Sequence, residues 1–261
     1  MIRAVVAGVA GKMGSRILAA LREEKDFTVT GAFDRPGIES VGSEASGIEL
    51  SSAIEPALEK GADVVIDFTT PAASLHHAAV CADRGVALVI GTTGFSEEQK
   101  NGLRAFSRRI PLLLAPNMSA GVNVLFRLVA DAARALGSAY EVEIVEMHHR
   151  MKRDAPSGTA LRLAEVAADA LGLRSKEPFV YERHGEVGAR KPGTIGLQTL
   201  RGGDVVGDHT VHFLADGERL ELTHRATSRD NFARGAVRAG RWVAGKKPGF
   251  YDMQDVLGLR T

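Results

Sequence analysis

The sequence predicts an α/β protein, a doubly wound parallel sheet followed by a second, α+β domain with an open mixed sheet. Three observations lead there. Short apolar runs alternate with amphipathic stretches of helical period from residue 1 to about 118. A glycine-bearing turn joins the first such run to the first helix. Past a long helix, the remaining apolar segments come mainly as a block of strands. The domains expected are 1–119, 120–228 and a segment 229–261 that can return to the first.

Ile2–Ala7 is a short apolar run, as in a strand buried on both faces. Gly8, Gly11 and Gly14 follow in G-V-A-G-K-M-G, and Met13, Ile17 and Leu21 then recur at helical spacing. Strand, glycine turn and helix in that order is the context of a dinucleotide fingerprint of the Rossmann type. The first glycine permits the turn, the next lets the backbone approach a pyrophosphate, and the last allows close helix packing.

The next strand, Phe27–Phe33, is read with Phe27, Val29 and Phe33 on one face. It ends in Asp34-Arg35, where an acidic residue would meet the adenosine ribose hydroxyls. Asp34 favours NAD because it repels a 2′-phosphate; Arg35 can pair with that phosphate and favours NADP. Together they predict that either is accepted.

Pro36–Leu50, rich in Gly and Ser, reads as a surface loop, and Glu55-Pro56 opens a short helix. Val64–Phe68 is a buried strand and Ala72–Arg84 a helix, in which His76 and His77 read as surface or packing residues and Cys81 as a small core residue. Val86–Ile90 runs into Gly91-Thr92-Thr93-Gly94, small residues where an open sheet leaves room for ligand. Ser96–Gln99 has the form of a capping box, and Leu112–Ala115 is a strand ending in Pro116-Asn117-Met118.

Gly121–Leu136 is one long helix with Val122, Leu125, Val129, Ala132 and Leu136 on a stripe. Strands are then expected at 140–147, 179–183, 195–200, 205–214 and 219–227, interrupted by one helix, with Asn231–Gly245 helical again.

Composition narrows the class. With 261 residues and net charge +1, no global field calls for nucleic acid or an acidic membrane. One cysteine rules out an internal disulfide framework and fits a reducing compartment. No apolar run approaches a membrane span, and MIRAVVAGVAG enters a strand without a leader, so a cytoplasmic location is expected. His148 and His149, or His209 and His212, gain no cysteine or carboxylate to complete a ligand set, so no metal is expected.

The most informative stretch is EIVEMHHRMKRDAPSGTA, residues 143–160. His148, His149, Arg150, Lys152 and Arg153 place five basic side chains in six positions. Ser157 then reads as the N-cap of an Ala- and Leu-rich helix, leaving the N–H groups of Gly158, Thr159 and Ala160 as donors for a carboxylate or phosphate. Basic side chains beside a helix N-terminus suit a small substrate with two acidic groups. A histidine can transfer protons near neutral pH, and a lysine supplies charge and a donor.

This stretch closely resembles the signature of the dihydrodipicolinate reductase family, the 4-hydroxy-tetrahydrodipicolinate reductases of the diaminopimelate route to lysine. Gly8–Gly14, Asp67-Phe68-Thr69, Gly91–Phe95, Asn117-Met118-Ser119, Pro192–Gly196 and Arg201–Asp204 resemble further landmarks in the same order along the chain. The resemblance implies NAD(P)H-dependent reduction of a cyclic imine dicarboxylate, which loses its 4-hydroxyl as water and accepts hydride at C4. It implies that Gly8, Val9, Ala10, Gly11, Lys12 and Met13 bind the pyrophosphate of NAD or NADP. Asp34 and Arg35 would then meet the ribose, with Gly91, Thr92, Thr93, Ala115, Pro116, Asn117 and Met118 on the nicotinamide side. It makes His148 and Lys152 the catalytic pair and gives the substrate to His149, Gly158 and Thr159. It implies a homotetramer joined through the strand-rich domains. Many relatives carry Glu where Asp34 stands. Two readings stand beside it: another NAD(P)-dependent reductase of an amino-acid-like acid, and a dinucleotide-binding redox sensor without chemistry.

Overall fold

The computed structural model describes residues 1–38, 44–45, 48–173 and 178–260. In chain order the elements begin with β1 (Ile2–Ala7), α1 (Gly14–Glu23), β2 (Phe27–Phe33), β3 (Glu44–Ala45), β4 (Ile48–Ser51) and α2 (Ile54–Ala57). Next come β5 (Val64–Asp67), α3 (Pro71–Arg84), β6 (Ala87–Ile90), α4 (Glu97–Phe106), β7 (Pro111–Leu114) and α5 (Ala120–Leu136). Then follow β8 (Glu141–His148), α6 (Gly158–Ala170), β9 (Phe179–Val180), β10 (Ile195–Arg201), β11 (Gly207–Ala215) and β12 (Glu218–Ala226). The chain closes with α7 (Asp230–Val243), β13 (Gly249–Tyr251) and α8 (Met253–Val256). These elements form two units, Met1–Ala120 with Asp230–Thr261, and Gly121–Arg229.

The first unit holds a sheet of order β13-β7-β6-β5-β1-β2-β4-β3. Its described pairings are parallel except β3 with β4. Both faces are covered, which is why the central strands are apolar without alternation. On one face Val6 and Ile66 pack with Ile17 and Leu21 of α1 and Ala236 and Val243 of α7. On the other, Val5, Val65 and Leu88 pack with Ala78 and Cys81 of α3 and Leu103 of α4. Burial in this apolar layer pushes the Cys81 thiol well above its ordinary pKa, as befits a core residue. Ser96 and Gln99 cap α4 reciprocally.

Two expectations are corrected here. Phe27 and Val29 share one face, but Phe33 packs on the opposite one. The register between β1 and β2 slips after Ala4, pairing Ala4 with Val29 and Val5 with Gly31, and one extra residue in a period of two inverts everything after it. The stretch read as a loop, Pro36–Leu50, contains β3 and most of β4, and β4 pairs through Leu50 and Ser51 with the end of β2; residues 39–43 and 46–47 lie outside the described ones.

The second unit is a mixed sheet of order β12-β11-β8-β10-β9. β8, β10 and β9 are parallel neighbours, while β11 runs antiparallel to β8 and β12. Helices α5 and α6 cover one face, packing Leu125 and Val129, with Leu163 and Ala167, on Val142, Ile144, Leu197, Val211 and Phe213. The strand expected at 179–183 is only Phe179–Val180. Among the described residues no helix is long and apolar enough to cross a membrane.

Candidate active site

Because β1, β2, β5, β6 and β7 are parallel, their carboxyl ends share one edge of the first unit's sheet, where open α/β sheets bind ligands. A cavity of about 610 Å³ opens there. Gly8, Ala10, Gly11, Asp34 and Arg35 line it, together with His76 and His77. Gly8 has φ +68°, and a Cβ at Gly14 would stand 2.1 Å from the Gly8 carbonyl oxygen, so the turn closes on α1 only with glycine there. Asp34 accepts from the N–H of Ala10 at 2.9 Å and from that of Arg35 at 2.8 Å, which ties the acid to the turn. A narrow glycine cradle with a carboxylate at its side fits a dinucleotide.

The other candidates in this unit fall outside the cavity lining. Val9, Ala115 and Met118 bury their side chains in the core, so a ligand would meet only their backbone. Gly91 follows β6 directly, and a Cβ there would overlap the Phe68 ring at 2.1 Å. Thr92 is buried and accepts from the Thr69 N–H at 3.0 Å, while its hydroxyl lies 3.0 Å from that of Ser74. Asn117 Oδ1 accepts from the Ser119 N–H at 2.9 Å. His77, read from sequence as surface or packing, is buried with Nδ1 2.8 Å from Asp67 Oδ2, and it also lines the cavity.

In the second unit, alternation along β8 turns Val142, Ile144, Glu146 and His148 toward the helix-covered face. Glu146 and His148 thus continue an apolar stripe with two polar residues. Glu146 is 1% exposed. Its Oε2 meets His148 Nδ1 at 2.5 Å and Arg201 Nη1 at 2.8 Å. Its Oε1 accepts from Arg201 Nη2 at 2.9 Å, the Ser157 N–H at 3.0 Å and the Thr199 hydroxyl at 3.2 Å. Burial by itself would raise the Glu146 pKa. The hydrogen bonds from His148 and Arg201 outweigh it and hold the carboxyl at about 2.

Register supplies these partners. Glu146 lies opposite Thr199 on β10 and His209 on β11, and His148 lies opposite Arg201. The His209 ring stands edge-on to His148, with centroids 5.1 Å apart, and its Nε2 is 2.9 Å from the Ser157 hydroxyl. Burial first, and then the charge of His148, push the His209 pKa down to about 3, with Lys152 adding to the effect.

The strand stops at His148. His149 pairs its N–H with the Val205 carbonyl at 2.8 Å, and Lys152 its N–H with the His149 carbonyl at 3.1 Å, so the chain bends between the candidate pair. Lys152 Nζ is held by Asp154 at 2.8 and 2.9 Å. Arg201 also donates to the Asp154 carbonyl at 2.7 Å, linking the Glu146 cluster to the segment that carries Lys152. Ser157 caps α6 as expected, but its hydroxyl accepts from Ala160 at 3.1 Å, so the Ala160 N–H is not left for a ligand. Space beside Gly158 is open for at least 4 Å where a Cβ would stand.

From sequence, Glu146, Arg201, His209 and the Asp67–His77 pair carry no site role, although Asp67 and Arg201 begin landmark stretches and His209 is weighed as a metal ligand. A charge on the inward parity of an alternating strand was the available signal for Glu146. For Arg201 the landmark stretch was a signal without a role, and for neither Arg201 nor His209 does the sequence show the contact with this cluster, which register creates.

The comparisons with known proteins agree with this architecture. A family model described as dihydrodipicolinate reductase, N-terminus, matches residues 2–118, and one described as dihydrodipicolinate reductase, C-terminus, matches 121–257. The 4-hydroxy-tetrahydrodipicolinate reductase of Anaeromyxobacter dehalogenans (strain 2CP-C) is 55% identical over 267 residues, spanning 100% of this chain and 99% of the relative. That of Myxococcus xanthus (strain DK1622) is 54% identical over 269 residues with the same coverage. The solved structure of dipicolinate-bound dihydrodipicolinate reductase from Paenisporosarcina sp. TG-14 superposes with a TM-score of 0.80 at 26% identity, covering 97% of each chain.

Proposed function

The chain belongs to the dihydrodipicolinate reductase family, and from that premise we propose that it reduces 4-hydroxy-tetrahydrodipicolinate to tetrahydrodipicolinate with loss of water, in lysine biosynthesis, using NADH or NADPH. One observation carries the reading: a relative of that name is 55% identical along the whole chain.

The residues divide the labour as follows. The glycine turn Gly8–Met13 would hold the pyrophosphate, with Asp34 and Arg35 at the adenosine ribose. Gly91–Thr93 and Ala115–Met118, at the carboxyl ends of β6 and β7, would lie on the nicotinamide side. When bound, NAD(P)H supplies the hydride. His148 transfers the proton that the reduced ring requires. Lys152 stabilises developing negative charge. His149, Gly158 and Thr159 orient the substrate, the last two through backbone N–H groups at the start of α6. We also infer a cytoplasmic homotetramer: Leu200 and Leu220, 42% and 40% exposed on the second unit's sheet, are residues that an interface between copies would cover.

The test follows NADH and NADPH absorbance with substrate made in place by the aldehyde–pyruvate condensing enzyme of the same pathway. Turnover is expected with at least one cofactor, and none with either removes the reading. His148→Gln and Lys152→Ala are each expected to lower kcat by more than about tenfold, about 1.4 kcal/mol of barrier. Smaller losses in both would remove the pair. Light scattering on the same preparation reads the tetramer.

A further inference from the structure

We propose that Glu146 is the positioning residue of this centre: it fixes His148 as the Nδ1–H tautomer, so that Nε2 is the nitrogen that exchanges the proton with the substrate. The proposal rests on the reductase reading and deepens it.

The argument starts from what Glu146 can do. A carboxylate with a pKa of about 2 is ionised throughout the working range and can only accept hydrogen bonds. The nitrogen that faces its Oε2 at 2.5 Å must therefore carry a proton, in both the neutral and the cationic forms of His148. Any proton that comes and goes does so at the other nitrogen. The residue beside that nitrogen carries no side chain: a Cβ on residue 207 would stand 2.9 Å from His148 Nε2, and the residue there is Gly207. Any side chain at 207 would crowd Nε2.

The surroundings of Glu146 keep it an acceptor. Arg201 spans both oxygens, and the Ser157 N–H and the Thr199 hydroxyl occupy Oε1. Taking the Nδ1 proton for itself would break this set and leave a guanidinium facing a neutral acid, so Glu146 orients and does not relay. The reaction step then balances. Once the 4-hydroxyl and a C5 proton have left as water, a C4=C5 bond is conjugated with the ring C=N bond. Hydride addition at C4 then moves an electron pair onto the ring nitrogen, giving an enamine. The Nε2–H bond of the imidazolium breaks as an N–H bond forms on the substrate. His148 is left neutral, with its remaining proton on Nδ1 against Glu146, and the enamine becomes the product imine by gaining a proton at C5 and losing the one on nitrogen.

A Gln at 146 cannot reproduce this. With its oxygen kept toward Ser157 and Thr199, its NH2 would face both His148 Nδ1 and Arg201, two donors. The imidazole would have to turn Nδ1 into an acceptor and move its proton to Nε2.

The experiment uses the full-length chain, with the parent, Glu146→Gln and Glu146→Asp. Long-range proton–nitrogen correlation spectra of the histidine rings read the tautomer of His148, assigned by its loss in His148→Gln. The parent is expected to show Nδ1 protonated. Glu146→Gln is expected to shift His148 to the Nε2–H form and to lower kcat at least about tenfold, with KM for substrate and cofactor within about threefold. Glu146→Asp keeps the charge and is expected to retain the Nδ1–H signature and recover part of kcat. If Glu146→Gln does not fold, Glu146→Asp and the parent spectrum carry the test. A parent with Nε2 protonated and Nδ1 bare overturns the proposal. So does a folded Glu146→Gln whose tautomer is unchanged and whose kcat lies within about twofold of the parent. A parent that turns over no substrate removes the reductase reading instead, which the spectrum leaves untouched.

Discussion

Asp67 and Glu146 are both buried carboxylates facing the Nδ1 of a histidine, at 2.8 Å from His77 in the first unit and 2.5 Å from His148 in the second. Their other partners differ. Asp67 Oδ1 is satisfied from its own turn, by the Thr69 N–H at 2.9 Å and the Thr69 hydroxyl at 2.6 Å. Glu146 draws on Arg201 and Thr199 of β10 and on the residue that caps α6. The first pair is wired by residues two and ten positions away, the second by residues up to fifty-five positions away. A locally wired acid can re-form its contacts after a small change. One held by a cation and a helix cap from separate elements cannot, and its histidine is accordingly fixed.

The largest expected effect follows from breaking the distant wiring. Arg201→Met leaves the buried Glu146 carboxylate without its cation. Urea unfolding is expected to show a loss of about 3 kcal/mol, the low end for a broken buried pair because the Arg201 side chain stays 20% exposed. A loss under about 1 kcal/mol would mean that solvent already screens the pair.

Acid sharpens the comparison next. His209 is held neutral down to about pH 3, whereas an unfolded histidine takes up a proton near 6.5. As pH falls below 6.5 the unfolded state therefore binds a proton that the folded state does not. Stability drops by up to about 1.4 kcal/mol per pH unit until His209 itself titrates. Glu146 acts in a lower window: its stabilisation is complete above about 4.5 and fades as pH falls toward 2. His209→Gln, whose amide nitrogen can take the place of Nε2 near Ser157, is expected to flatten the stability curve between pH 6.5 and 4.5. His224, also depressed by burial, titrates in both proteins, so the difference between their curves isolates His209. Parallel curves would sink the assignment.

The smallest effect belongs to the locally wired pair. In Asp67→Asn the amide oxygen can still accept from Thr69, and the NH2 can donate to His77 once its tautomer changes. A loss of about 1 kcal/mol is expected in the same unfolding assay. A loss as large as that of Arg201→Met would erase the distinction between the two pairs.

How much of this was legible in sequence follows the same divide. The glycine turn, Asp34 at the end of β2, the capping box at Ser96 and the Ser157 cap are patterns within a few residues, and each took the expected local form. The face of Phe33 was misread because a register slip inside β2 leaves no mark in the hydrophobic pattern. His77 reads from sequence as surface or packing without a partner, because a histidine among alanines in a helix looks the same whether it faces water or a buried acid.

By itself the sequence determined the order of the longer strands and helices, though not β3, β4, β13 or α8. It also marked the glycine turn and the stretch that carries His148 and Lys152, since these depend on periodicity and turn chemistry over short spans. Only the tertiary structure decided what surrounds Glu146. Register sets Thr199 and His209 opposite it and Arg201 opposite His148, and register is chosen by the packing of whole faces on α5 and α6. A carboxylate's role depends on which donors reach it, and two of the donors to Glu146, Thr199 and Arg201, stand more than fifty residues away along the chain.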